Sequence, residues 1–167
     1  MQNDIPVRKH PRLKEYDYNQ NGAYYITLCV KDRREVLSKI VGRGIPDATY
    51  IQLSEYGKNV IEAIEYINNR SRELSIDKYV VMPNHVHFIA IIKDSDGGAS
   101  GKPRPTNAII PKLVSSIKRY TNKVSGSKIW QRSYHDHIIR DDIDYLQIWQ
   151  YIDENPQAWS EDCYYTV

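Results

Sequence analysis

The chain has 167 residues, a formal net charge of +2, and 41% hydrophobic against 26% charged residues. Its mean hydropathy is −0.62. These figures exclude a disordered chain, and the longest apolar run, Phe88 to Ile92, is far short of the roughly 20 residues that span a bilayer. The expectation is therefore one globular domain with a cytoplasmic address, because the first residues lack an apolar leader.

In chain order, a basic N-terminal arm (about 1–15) precedes a first strand at Tyr24 to Val30, rich in β-branched and aromatic residues. Residues 33–47 hold Gly42, Gly44 and Pro46 and read as a loop. Thr49 to Leu53 is a short extended piece, and Ser54 caps a helix reaching about Asn69, with Val60, Ile61, Ile64 and Ile67 at helical spacing. Leu74 to Met82 is a strand. The Pro83-Asn84 turn leads into a second strand, His85 to Lys93, whose continuous apolar content suits a central position.

The connector at about 94–106 carries Gly97, Gly98, Gly101, Pro103 and Pro105. Thr106 or Asn107 caps a helix to about Val124, with a stripe of Ile109, Ile110, Leu113, Val114 and Ile117. Tyr134 to Arg140 is a fourth main strand, and Asp141 caps a last helix ending near Asn155, before Pro156. The order β-α-β-β-α-β is the split βαβ of an α+β fold, ferredoxin-like or RRM-like. It predicts an antiparallel sheet with helices on one face, the other face free for a ligand, and an additional C-terminal helix.

Charge is unevenly spread. No carboxylate occurs between Asp96 and Asp136, an interval holding Lys102, Arg104, Lys112, Lys118, Arg119, Lys123, Lys128 and Arg132 with Tyr120, Trp130 and Tyr134 interleaved. With Arg8, Lys9, Arg12 and Lys14 of the arm, these residues read as a phosphate-binding surface for DNA. The 14 tyrosines offer many stacking surfaces, so no single tyrosine stands out on its own.

Chemistry points to His85-Val86-His87. On a strand, alternate side chains share a face, so the two imidazoles can converge on one metal ion. On the last helix, Tyr151 and Asn155 lie four residues apart and share a face beside the stripe of Tyr145, Ile148, Trp149 and Ile152. A phenol there can attack, and a carboxamide oxygen can ligate a metal. His135-Asp136-His137 is the rival metal pair and Tyr120 the rival nucleophile, although Val124 stands where Tyr120 would need a ligand. Cys29 and Cys163 are too few for a disulfide framework or a thiolate zinc site.

Together, Met82-Pro83-Asn84-His85-Val86-His87-Phe88, Trp130-Gln131 with the following aromatic-His-Asp-His strand, and Tyr151-Ile152-Asp153-Glu154-Asn155-Pro156 resemble the REP-associated tyrosine transposase branch of the single-tyrosine HUH transposases. The resemblance runs from about Tyr16 to Trp159. It implies a single HUH endonuclease domain over residues 1–167, Tyr151 as nucleophile on the last helix, and His85, His87 and Asn155 as ligands of Mg²⁺ or Mn²⁺. It further implies cleavage of single-stranded or hairpin DNA through a 5′-phosphotyrosine, by a monomer or a homodimer. Two other classes fit the residues: a non-catalytic single-strand-binding module with an RRM-like sheet, and a metal-dependent hydrolase without a covalent intermediate.

Overall fold

The computed structural model describes residues 21–42, 49–93 and 109–165. The basic arm with Arg8, Lys9, Arg12 and Lys14, the connector with Lys102 and Arg104, and the caps expected at Thr106 or Asn107 lie outside those residues.

Among the described residues, six strands and three α-helices are formed: β1 (Gly22–Cys29), β2 (Ser38–Val41), β3 (Tyr50–Leu53), α1 (Glu55–Arg70), β4 (Leu74–Val81), β5 (His85–Ile92), α2 (Ile109–Val124), β6 (His135–Ile139) and α3 (Asp142–Glu154). The main sheet has the order β4-β5-β1-β6 with every pairing antiparallel. This is the split βαβ architecture expected from the element order. Its register sets Cys29 opposite His85 and Thr27 opposite both His87 and His135.

One face of the sheet carries Tyr24, Ile26, Leu28, Val86, Phe88 and Ala90 against Val60 and Ile64 of α1 and Ile110, Leu113 and Ile117 of α2. Alternation then sends His85, His87, Ile89 and Ile91 to the opposite face. There Val80, Met82 and Ile89 pack with Ile152 of α3 and with Trp159 of a following 3-10 turn, Trp159–Glu161. Among the described residues the first cluster holds 21 buried side chains and the second 6. At roughly 1.5–3 kcal/mol for each large apolar side chain fully buried, the α1/α2 face carries most of the stabilisation.

Three expectations are corrected here. Residues 33–47 are not all loop, because Ser38–Val41 pairs with Tyr50–Leu53 as a separate two-stranded sheet. The hairpin is fastened to the main sheet by Ser38 Oγ, which donates to the Val81 carbonyl at 2.9 Å. The second face of the sheet is not open, since α3 and the 3-10 turn lie across it. Trp149, expected in the apolar stripe of α3, is 39% exposed and lies under the Lys78 ammonium, 3.6 Å from its ring centroid.

Local chemistry fixes α1 against the hairpin. Ser54 accepts from the Gly57 amide as its N-cap, while its own amide donates to the Leu37 carbonyl at 2.9 Å. That carbonyl approaches so closely that a Cβ on Gly57 would sit 2.3 Å from it. Glycine is required here by contact.

Candidate active site

The Pro83-Asn84 turn delivers β5 with His85 at 0% and His87 at 1% exposure, their ring centroids 4.4 Å apart. Each imidazole is held by its Nδ1. His85 Nδ1 lies 2.9 Å from Asn84 Oδ1, and His87 Nδ1 lies 2.8 Å from Tyr25 Oη and 2.9 Å from Thr27 Oγ1 of the neighbouring strand. The Asn84 amide is oriented by its Nδ2, which donates to the Tyr164 carbonyl at 2.8 Å and the Arg33 carbonyl at 3.3 Å. Its Oδ1 can only accept, so a neutral His85 carries its proton on Nδ1 and presents a lone pair at Nε2. Burial holds both rings neutral: His85 is pushed down to about 3. His87 is held well below the usual histidine range by burial first and by His85 second.

Across from these rings stands α3, capped by Asp141, whose side chain accepts from the Asp144 amide. Tyr151 and Asn155 project toward the histidines, as their shared helical face requires. The Tyr151 ring lies 5.4 Å from that of His87, and Asn155 is buried at 2% exposure. His85 Nε2, His87 Nε2 and Asn155 Oδ1 are all buried without a hydrogen-bond partner. An unsatisfied buried polar group costs about 1–3 kcal/mol, and a ligand taken up between the two adjacent imidazoles would relieve that cost.

A fourth group completes the site, and sequence reasoning missed it. Asp162, just beyond the 3-10 turn, accepts from Asn155 Nδ2 at 2.7 Å and from Tyr151 Oη at 3.3 Å. Its Oδ2 lies 4.0 Å from His85 Nε2. His85, His87 and Asp162 offer ligand atoms all within 4.8 Å of one another, the one such trio of His, Cys, Asp or Glu among the described residues. Tyr164 covers His85, ring centroids 4.5 Å apart. Burial first, and the Asp162 charge second, raise the Tyr151 phenol far above its ordinary value. Two imidazole nitrogens, an amide oxygen and a nearby carboxylate form a donor set suited to a divalent cation with positions left open.

The rival residues are not part of this cluster, although His135 flanks it, its ring centroid 6.5 Å from that of Tyr164. His137 Nε2 is engaged by Asp144 at 2.8 Å, and His135 is exposed on β6. Tyr120 Oη donates to Glu62 at 3.0 Å on the α1/α2 side. Cys29 is buried, its thiol pushed up to about 11 by that burial.

Of the expected DNA-contacting residues, Lys112, Arg119, Lys123, Lys128 and Arg132 are exposed. Lys118 is different. Its ammonium donates to the carbonyls of Gln131 and Ser133, each at 2.8 Å, with that of Arg132 at 3.5 Å. It is a structural cation holding the loop before β6, with its donors spent on the protein. Trp130 and Tyr134, expected among the surface aromatics, are instead core residues, Trp130 Nε1 donating to Thr121 Oγ1 at 2.7 Å.

No helix among the described residues is long and apolar enough to cross a membrane. No protein-family model matches the chain. It is 32% identical over 176 residues to a Haemophilus influenzae protein of uncharacterized function, covering 96% of this chain and 94% of that one. It is 25% identical over 139 residues to the REP-associated tyrosine transposase of Escherichia coli K12, covering 83% of this chain and 68% of the relative. In structure it is similar to a REP-associated tyrosine transposase bound to a REP hairpin, with a TM-score of 0.56, 22% identity, and coverage of 81% of this chain and 67% of that one. That likeness establishes the fold.

Proposed function

Because the chain belongs to the REP-associated tyrosine transposases, we propose that it is a metal-dependent single-stranded DNA endonuclease and strand transferase. It would cleave near hairpins through a covalent 5′-phosphotyrosine. The observation that carries this reading is the cluster of two unpartnered buried imidazole nitrogens, His85 Nε2 and His87 Nε2, with the Asp162 carboxylate, which also accepts from Asn155 and from the Tyr151 phenol. A relative bound to a REP hairpin supports hairpin DNA as the partner, and the catalytic domain would extend over residues 1–167.

His85, His87 and Asn155 would hold Mg²⁺ or Mn²⁺, with the Asp162 carboxylate adding negative charge at its edge. When bound, such a cation polarises the scissile phosphate as a Lewis acid. Tyr151 Oη attacks phosphorus, forming the Tyr–phosphate bond as the bond to the 3′ oxygen breaks. The phenol proton passes to Asp162, the acceptor already in contact with it, and the departing 3′ oxygen takes up a proton as a hydroxyl. The phosphoester energy is conserved in the tyrosyl bond, so attack by a 3′-hydroxyl reverses the step and joins strands. No nucleotide cofactor is required. Since the phenol stays protonated at rest, proton loss accompanies attack.

The test is covalent capture. With Mn²⁺ and a 3′-labelled hairpin oligonucleotide, the protein should give a band that survives denaturation. Tyr151→Phe should abolish it while DNA and Mn²⁺ affinities stay within about twofold. An adduct persisting in Tyr151→Phe and lost in Tyr120→Phe would overturn the assignment.

A further inference from the structure

Where β1 ends beside His85, the chain makes a tight turn, Lys31-Asp32-Arg33-Arg34, with Asp32 at φ 59° and Arg33 at φ 51°. Two consecutive non-glycine residues in the left-handed region persist only where the surroundings over-determine them, and such strain gathers at functional sites. The constraint is visible. The Lys31 amide donates to the Ile129 carbonyl at 2.7 Å, the Val30 amide to the Asn84 carbonyl at 2.8 Å, and the Arg33 amide to the Val30 carbonyl at 3.2 Å. Asn84, the residue that orients His85, also grips the Arg33 carbonyl through its Nδ2.

The turn carries a set of exposed cations close to the site. Arg33 lies 6.0 Å from the Tyr164 ring centroid, and that ring rests on His85. Lys31, Arg33 and Arg34 are exposed and none forms an ion pair among the described residues. Arg33 Nη1 donates to the Cys163 carbonyl at 3.2 Å, leaving its other donors available. Across the Val30–Trp130 bridge, the Gln131 amide donates to the Cys29 carbonyl. The loop pinned by Lys118 therefore runs antiparallel to the end of β1 and beside the start of the turn.

We propose that the Lys31–Arg34 turn is a phosphate-binding element of the site. Arg33 and Arg34 grip backbone phosphates of the single strand whose scissile bond lies at Tyr151. The inference rests on the DNA-cleaving reading above and names where the strand enters. Guanidinium forks suit phosphate oxygens, and backbone contacts carry affinity without sequence information.

The experiment measures binding of a fluorescein-labelled oligothymidylate across a salt series, with Mn²⁺ affinity and melting temperature followed in parallel. Arg33→Gln/Arg34→Gln should weaken binding roughly tenfold near physiological salt and flatten the log–log salt slope by about 0.7 for each phosphate left without its guanidinium. Arg34→Gln alone, which removes a side chain exposed to solvent, should give part of that effect. Lys39→Gln, exposed on β2, should give none, and Mn²⁺ affinity should hold in all three. Unchanged affinity and slope in the double variant would overturn the proposal, as would loss of Mn²⁺ binding in Arg34→Gln or failure of the unaltered protein to bind the oligonucleotide. If Arg-dependent binding is seen and no covalent adduct ever forms, the cleavage reading fails while the phosphate element stands.

Discussion

Asn84 does more than any other single residue to prepare the site. It tethers His85 Nδ1, the Tyr164 carbonyl and the Arg33 carbonyl at once. Residues behind metal-binding histidines typically change metal affinity by about 10–100-fold when removed. Asn84→Leu keeps the volume and loses the acceptor, so Mn²⁺ affinity should drop by about that factor, and ¹⁵N spectra of the imidazoles should show the Nδ1–H form of His85 losing population. Asn84→Asp keeps the acceptor and should retain most of the affinity; equal losses in the two variants would reduce Asn84 to packing. The site's legibility divides at this scale. That His85 shares a face with His87, and Tyr151 with Asn155, could be read because strand and helix periodicities set which side chains lie together. Asp162 could not, because it follows a 3-10 turn whose path is decided by Trp159 packing under the sheet, and no short-range repeat encodes that path.

At the scale of elements, the short hairpin β2–β3 is hidden in the sequence because Ser38–Val41 is followed by Gly42 and Gly44 and finds its partner strand only through the ladder with β3. Its contact with α1 yields a sharp expectation. Alanine for glycine inside a helix ordinarily gains up to about 1 kcal/mol. At Gly57 the new methyl would meet the Leu37 carbonyl, backbone already fixed by bonds to Ser54 and Pro83. Overpacking of this kind costs about 1–3 kcal/mol, and the steric term should win: Gly57→Ala lowers the melting temperature in calorimetry. A stabilised variant would show that the hairpin yields easily. Lys118 gives a second expectation. Its three bonds to carbonyls make Lys118→Met a destabilising change of about 1–3 kcal/mol, accompanied by loss of order in residues 131–133. Weakened DNA binding with unchanged stability would instead return Lys118 to the phosphate-contacting set, where its position in the acid-free interval first placed it.

For the whole molecule, the buried imidazoles set the response to acid. Both histidines have folded-state values below the unfolded value of 6.5, His85 at about 3. The unfolded chain therefore binds more protons between those limits. Stability is fully present above about pH 6.5 and is lost as the pH falls from there toward 3. Denaturant titrations should show that decline. His85→Gln should flatten it, and saturating Mn²⁺ should steepen it because the cation requires neutral rings. A pH-independent midpoint across that window would mean that the rings are solvated.

The unequal packing of the two sheet faces implies a hierarchy of opening events. Strands β1 and β5, buried under α1 and α2, should exchange their amide hydrogens only when the whole chain unfolds. α3, resting on a small apolar cluster and on the partly exposed Lys78–Asp153 pair, should lift in a cheaper, local event. Exchange followed by mass spectrometry should thus label the peptide carrying Tyr151 well before the one carrying His87, although the two rings touch. Tyr151 and the histidines would then belong to different cooperative units. DNA or Mn²⁺ bound between them would reveal itself by slowing exchange in α3 while leaving β5 unchanged.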